Sequence, residues 1–300
     1  QTKINNGKYI YIFISTIIII ISIQVILTEL SFFNGISLSN FSDHFAKGNM
    51  NIPLGASNLI ACFLLPLMIF LIMYKKNFFT LSVFSIGLFA LLLCRSKNAL
   101  ILFAAICLLF PLYKIIHYVI KDSTVSSKSK LIFMGIISLV GFFFGIILLK
   151  FSGFLINDLS FNYFSSLSNP FLNYLDRVSS GRVTVYSNQL VKLNDSLFWG
   201  NGYGYSIGDT KSHNWIIDIL VQKGVIGTFI YLCSLIIIFK TSFTFMHDKF
   251  VRASLCLLSI ILVQGLFEIS LFTSGIDFLF WSTSGLLMSR IIVLKSSMLE

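Results

Sequence analysis

The sequence contains few charged residues and none of the common enzyme motifs. Asp, Glu, Lys and Arg make up only 11% of its 300 residues, whereas a soluble domain carries about 25%. The H-E-x-x-H motif, the P-loop and the G-x-S-x-G motif are absent, and no two carboxylates share a helix face at the spacing of glycosidases. The first absence excludes an ordinary soluble domain. The others leave no signature of a metalloprotease, a P-loop enzyme or a serine hydrolase.

The cysteines give no sign of a metal or redox site. All five lie in or at the ends of apolar runs, and no two have the spacing of metal ligands or of a redox pair. Small polarizable side chains of this kind are usual in apolar cores. We therefore predict neither a metal nor another cofactor.

Long apolar runs make up most of the chain. Hydrophobic residues account for 56% of the sequence, and the mean hydropathy is +0.88. A helix that crosses a bilayer needs about 20 mostly apolar residues. The sequence therefore predicts an all-α integral membrane protein, a polytopic helical bundle with eight spans at residues 9–29, 54–74, 77–94, 98–120, 131–151, 215–239, 252–270 and 276–294.

The charged residues indicate which way the spans are oriented. If the N-terminus is cytoplasmic, the short inside segments are basic, and the long outer segment 152–214 has no net charge. This distribution obeys the positive-inside rule for short loops. The basic residues form no continuous face, so nucleic acid is not an expected partner despite the formal charge of +10.

These assignments divide the chain into three parts. Residues 1–151 are expected to form a membrane domain with five spans, residues 152–214 an extracytoplasmic loop, and residues 215–300 a membrane domain with three spans. The chain begins at Gln1 and has no signal peptide. We therefore expect a fragment, or a chain that lacks upstream spans.

The outer loop is long enough to be structured and functional. Within it, Ser179 and Ser180 can cap a helix in which Val183, Tyr186 and Leu190 recur at spacings of three and four. This pattern predicts an amphipathic helix on or near the outer membrane surface.

Three glycines alternate near the end of this loop, at Gly200, Gly202 and Gly204. They lack the preceding strand and the third-glycine offset of a dinucleotide-binding fingerprint. Two interpretations remain open. One is a tight, mobile turn, and the other is a backbone that closely approaches a ligand or another loop.

His213 lies where the outer loop meets the apolar run that starts at Trp215. A neutral imidazole at this position can accept a proton near neutral pH. The simpler alternative is a histidine that caps the first helical turn or touches lipid head groups.

Several ionisable residues are expected on the outer side. Arg95 and Lys97 stand between two apolar runs, and Arg182 lies in the predicted loop helix. Anchoring at the membrane boundary is a reasonable explanation of Arg95 and Lys97, but cations held on the outer side suit an anionic ligand. Three acids are expected as supporting residues or as ion-pair partners of such cations: Asp218, Glu268 and Asp277.

The order of these elements resembles the O-antigen polymerase and O-antigen ligase family. The chain reads "SGRVTVY", then "FWGNGYG", then "SHNWIIDILVQKGVIG" as it enters a membrane helix. The family pattern of an arginine, a glycine-rich turn, a His-Asn pair and a G-x-x-G helix falls on Arg182, Gly200, Gly202, Gly204, His213, Asn214, Gly224 and Gly227.

A second family feature is an S-R motif at the outer end of an earlier span. In "CRSKNAL", Ser96-Lys97 aligns best, so Lys97 stands where arginine is usual. Arg95 can supply the charge by a shift, and both residues stay candidates. The resemblance covers roughly residues 78–240.

The resemblance implies a GT-C-like helical fold in the bacterial inner membrane, and transfer of a glycan from undecaprenyl diphosphate to an acceptor sugar without metal or nucleotide sugar. His213 is then the candidate general base, with Arg182 and either Arg95 or Lys97 stabilising the leaving diphosphate. Asn214, Gly202 and Gly204 are candidates for substrate binding, with Asn214 supporting the histidine or the acceptor.

The partners that the resemblance implies are an undecaprenyl-diphosphate-linked oligosaccharide, membrane lipids and a chain-length regulator. We predict a polymerase that elongates a surface polysaccharide at the outer face of the membrane. A ligase that transfers the glycan to lipid A core is the nearest alternative. A lipid-linked glycan flippase is less favoured, because neither internal repeats nor broken helices stand out in the sequence.

Overall fold

The computed structural model describes residues 6–33, 51–96, 98–107, 181–202, 212–268 and 274–298. These residues are mostly helical, as predicted, and eight helices occur among them: α1 (Asn6–Phe33), α2 (Ser57–Tyr74), α3 (Phe78–Leu93), α4 (Asn98–Cys107), α5 (Arg182–Val191), α6 (Trp215–Phe243), α7 (Lys249–Gln264) and α8 (Ser274–Ser296). A short antiparallel hairpin of β1 (Asn51–Ile52) and β2 (Gly55–Ala56) precedes α2, and a 3-10 turn, Lys192–Asp195, follows α5.

The chain divides into two compact units. The first contains residues 1–100 and 189–300, and the second contains residues 101–188. All the helix packing described below belongs to the first unit.

Four of the described helices are long and apolar enough to cross a membrane. They comprise Gly7–Ser31, Ser57–Tyr74, Trp215–Phe243 and Gly275–Ser296. Helices α3 and α4 are apolar but shorter. The predicted span at 131–151 and most of the one at 98–120 lie outside the described residues. The described residues therefore confirm a mostly helical protein with membrane-length apolar helices.

The predicted span at 252–270 is wrong at its C-terminal end. Helix α7 ends at Gln264, and Gly265 follows as the C-cap residue. The backbone then forms a turn through Glu268, with the N–H of Glu268 donating to the carbonyl of Gln264 at 2.9 Å. An acidic side chain so close to an apolar helix requires polar partners, and the turn carries it to them.

Helix α2 forms the centre of the first unit. Every residue from 60 to 71 is buried, and α2 packs most extensively against α7. A helix that is apolar on all sides needs such surroundings. Helix α1 packs mainly on α3 and α2, and α8 packs on α7. Large apolar side chains on the outer sides of α1, α3, α6 and α8 are exposed, which suits a bundle in contact with lipid.

The end of the bundle at which α7 begins is basic, because Lys249, Arg252 and Arg290 lie there. The turn between α6 and α7 brings Asp248 to the start of α7, where its carboxylate caps the helix and accepts a 2.7 Å hydrogen bond from Arg290. Partial burial acts to raise the pKa of Asp248, but the hydrogen bonds from Arg290, Val251 and Phe250 outweigh it, so its pKa lies below the usual value. The 16 residues of α7 separate this end from the other by about 24 Å.

Helix α6 is sharply bent at Gly224, whose φ of 64° and ψ of −172° are not helical. The ring centroids of Trp215 and Tyr231 are 5.8 Å apart, although 16 residues of straight helix would separate them by about 24 Å. Residues 215–223 and 225–243 are therefore two helices that meet at an acute angle. The predicted span at 215–239 is thus present within a membrane-length apolar helix, Trp215–Phe243, but the sequence did not show the break at Gly224.

Candidate functional site

At the end of the bundle opposite Asp248, polar side chains from four parts of the chain meet around Glu268. This polar end, as we call it, comprises Glu29, Asn58, Arg95, Asn98, His213 and Glu268. Glu268 is buried, at 5% exposure. The Asn58 amide, in the first turn of α2, donates to Oε2 at 2.8 Å, and the Asn98 amide, at the start of α4, donates to Oε1.

Arg95 also lies at the polar end, directly after α3. One of its terminal nitrogens donates to both oxygens of Glu29 near the end of α1, at 2.9 Å each. The backbone of Arg95 has a φ of 53°, which is rare for a residue with a side chain. The guanidinium predicted to hold an anionic ligand is thus in an ion pair with α1. Lys97, the other candidate, lies outside the described residues.

His213 faces Glu268 with one edge of its ring. Its Nδ1 is 3.7 Å from Oε2 of Glu268, too long for a hydrogen bond but within ion-pair distance when the ring is protonated. Nδ1 is buried and has no hydrogen-bond partner in the described parts of the chain, whereas the whole side chain is 37% exposed. The accessible part of the ring is therefore the part away from Nδ1.

The residues on both sides fix the backbone of His213. Its φ of 58° carries a strain of roughly 1–3 kcal/mol, which persists only where the surroundings enforce it. Ser212 is buried; its N–H donates to Asp218 at 3.1 Å and its hydroxyl to the Asn214 carbonyl at 2.8 Å. On the other side, the Trp215 N–H donates to the Gly265 carbonyl at 2.9 Å.

Asn214, not His213, caps α6. Its side-chain oxygen accepts from the N–H groups of Ile216 and Ile217 at 3.0 and 3.4 Å. This is the usual task of an N-cap residue. The alternative in which the histidine caps the helix is therefore wrong. The proposed contact of Asn214 with substrate remains a prediction.

The glycine-rich segment 197–202 packs into the bend of α6. The N–H groups of Asn201 and Gly202 donate to the carbonyls of Val221 and Gln222 at 2.9 and 3.0 Å. In return, Val225 and Ile226 donate to the carbonyls of Leu197 and Phe198 at 2.9 and 3.3 Å. We call this reciprocal arrangement the glycine latch. It satisfies backbone groups that the break in α6 leaves without helical partners.

Two glycines make the glycine latch possible, and both have positive φ, 74° at Gly200 and 64° at Gly224. A Cβ on Gly200 would overlap the backbone of Gln222 and Gly224, and a Cβ on Gly224 would overlap that of Phe198. Of the two interpretations of these glycines, close approach to another part of the chain holds for Gly200. Gly202 has nothing within 4 Å of such a Cβ, and Gly204 lies outside the described residues.

Arg182 is the first residue of α5 and belongs to the second compact unit. The polar end is built from the first unit alone. The predicted amphipathic helix is present as α5, whereas its proposed caps, Ser179 and Ser180, lie outside the described residues.

Sequence reasoning missed three residues of the polar end: Glu29, Asn58 and Asn98. Each lies near the end of an apolar run. Because an ionisable residue within a span is a functional candidate by default, Glu29 could have been identified from the sequence. The amides carry no such signal, because their partner Glu268 is 210 and 170 positions away.

The polar end can hold a fixed carboxylate against an imidazole, and it presents the rest of that imidazole to a ligand. Within the described ranges, no three His, Cys, Asp or Glu side chains come together as metal ligands. Comparisons of the chain with protein-family models, curated proteins and solved structures find no match.

Proposed function

We propose that this protein is a polysaccharide polymerase of the bacterial inner membrane. It transfers a growing glycan from undecaprenyl diphosphate to an acceptor repeat unit at the outer face of the membrane. The proposal joins the resemblance around Arg182, Gly200 and His213 to the geometry of the polar end.

The observation that carries the proposal is the position of His213. A strained backbone, fixed by hydrogen bonds on both sides, holds an imidazole between a buried carboxylate and the surface. Strain of this kind is concentrated at functional sites. A histidine that only touched lipid head groups would need neither the strain nor the carboxylate.

In the proposed reaction, the acceptor hydroxyl loses its proton to Nε2 of His213 as its oxygen attacks the anomeric carbon of the donor sugar. The new carbon–oxygen bond forms while the bond from that carbon to the diphosphate oxygen breaks. The diphosphate leaves with the electron pair, and fixed cations stabilise its charge.

The cations proposed for the diphosphate are Arg182 and one of Arg95 and Lys97. Arg95 is engaged with Glu29, so it would have to share its guanidinium with the ligand. This favours Lys97 for the second position, in agreement with its alignment in "CRSKNAL".

The bend in α6 also bears on the flippase alternative, because broken helices are frequent in transporters. In transporters the groups freed by the break bind substrate or ions. Here the carbonyls of Val221 and Gln222 accept from Asn201 and Gly202. Since the glycine latch engages these groups, the bend does not favour transport.

The proposal is tested by complementing a polymerase-null strain with the wild-type chain and with His213→Ala and Arg182→Ala. We expect the wild type to restore long glycan chains and each variant to leave single repeat units, because general-base and electrostatic contributions are each worth about 100-fold or more. Glycan length is read on gels at matched protein levels.

Two exposed residues provide matched controls. His247→Ala removes a histidine and Lys192→Ala removes a basic side chain, both from exposed positions. Both variants are expected to give long chains. Long chains from His213→Ala and Arg182→Ala would overturn the proposal. A wild-type chain that leaves single repeat units in this strain, but restores glycan on lipid A core in a ligase-null strain, would identify a ligase instead.

A further inference from the structure

We propose that Glu268 is the positioning residue of His213: its carboxylate, fixed by the amides of Asn58 and Asn98, holds the ring with Nδ1 protonated and Nε2 free to accept a proton. The inference rests on the proposed function for its catalytic part. Its structural part stands on the polar end alone.

The hydrogen bonds that Glu268 accepts indicate that its carboxyl group is ionised. Both of its oxygens accept hydrogen bonds from side-chain amides, Oε1 from Asn98 and Oε2 from Asn58. An amide N–H can only donate, and an ionised carboxylate only accepts. The two amides therefore match the ionised form, and they arrive from two different helices, so the carboxylate is held from two sides.

The carboxylate of Glu268 lies close to one nitrogen of the His213 ring. Nδ1 of His213 is buried, lies 3.7 Å from Oε2, and has no hydrogen-bond partner among the described residues. A buried ring nitrogen requires a partner, and among the residues that the structure describes Glu268 supplies a carboxylate at this distance. A ring rotation that shortens the gap by about 0.8 Å gives a hydrogen bond, and such bonds often tighten when substrate binds.

A hydrogen bond at Nδ1 also determines the role of Nε2 of His213. A neutral imidazole has one donor and one acceptor nitrogen, and the partner of one sets the role of the other. With Nδ1–H donating to Oε2, Nε2 carries the lone pair. When Nε2 takes the proton of the acceptor hydroxyl, the carboxylate stabilises the resulting imidazolium. A carboxylate that orients a histidine base is a recurrent arrangement in enzymes.

The test is Glu268→Gln in the full-length purified chain, compared with Glu268→Asp. Glutamine keeps the volume but offers no charge, so we expect kcat for glycan extension to fall about 100-fold while KM changes less than about 3-fold. Aspartate keeps the charge at a shorter reach and should recover part of the loss. Asp248→Asn makes the same kind of change at the basic end and should leave kcat unchanged.

A spectroscopic readout separates this inference from the proposed function. The chain has four histidines, so nitrogen-15 labelling of histidine and comparison with His213→Ala assign the His213 signals. We expect the Nδ1–H tautomer in the wild type and a mixture with the Nε2–H tautomer in Glu268→Gln.

Each outcome is decisive for one of the two claims. An unchanged tautomer in Glu268→Gln overturns the positioning role, whatever the activity. A changed tautomer in a chain that never extends a glycan retains the His213–Glu268 pair and overturns the transferase. A fall in kcat equal in Glu268→Gln and Asp248→Asn would reduce Glu268 to a structural residue.

Discussion

Replacing Gly224 with alanine is expected to cost roughly 3–5 kcal/mol of stability, and Gly200→Ala about as much. Alanine at a positive φ costs about 1–2 kcal/mol. The added Cβ would also overlap backbone on the opposite side of the glycine latch, so the two segments must separate. Separation loses several of the four backbone hydrogen bonds between them, each worth about 1 kcal/mol. Thermal unfolding of the purified chain in detergent measures the loss.

Alanine substitutions at two other glycines distinguish the cost of backbone strain from the cost of steric overlap. Gly202 has a φ of 98° but open space around it, so Gly202→Ala should cost only the strain, about 1–2 kcal/mol. Gly285 lies inside α8 with open space, and Gly285→Ala should be neutral or stabilising by up to about 1 kcal/mol. If Gly224→Ala were no worse than Gly202→Ala, the close packing of the glycine latch would be refuted.

Removing Arg95 is expected to be the second most damaging change. Arg95→Ala leaves the carboxylate of Glu29, with a side chain only 8% exposed, without its cation, at an expected loss of about 3 kcal/mol. Glu29→Gln should cost less, because the Arg95 side chain is 20% exposed and can extend its charged head toward water. Thermal unfolding of the two variants gives both values.

The double variant Glu29→Gln/Arg95→Ala, which combines the two single substitutions, is the matched control. It removes both charges, so its loss should be well below the sum of the two single losses. Additive losses would contradict the ion pair. The same variant also tests the role of Arg95 in the reaction. If glycan length stays as in the wild type, Lys97 and Arg182 stabilise the leaving diphosphate without Arg95. If only single repeat units form, Arg95 contributes to that stabilisation.

The helical fold follows from composition because bilayer-length apolar runs have few alternatives. The starts of α2, α3 and α6 were predicted to within a few residues for that reason. The location of His213 at the beginning of α6 also followed, since it directly precedes the apolar run from Trp215.

The bend in α6 could not be predicted from the run itself. Gly224 follows Gln222 and Lys223 within an otherwise apolar run, and a break there would leave backbone groups without partners. Segment 197–202 supplies those partners from 20 to 28 positions earlier in the chain. The same applies to Glu268 and Arg95, whose partners are far away in sequence. Such pairings depend on how helices pack, which periodicity does not specify.

The central claim, transfer of a glycan from a lipid diphosphate, is tested most directly with the purified full-length chain and an undecaprenyl-diphosphate-linked single repeat unit. We predict products with two or more repeats and release of free undecaprenyl diphosphate, without added metal or nucleotide sugar. A folded chain that leaves the substrate as single repeats, or only moves it across the bilayer of a proteoliposome, would contradict the claim.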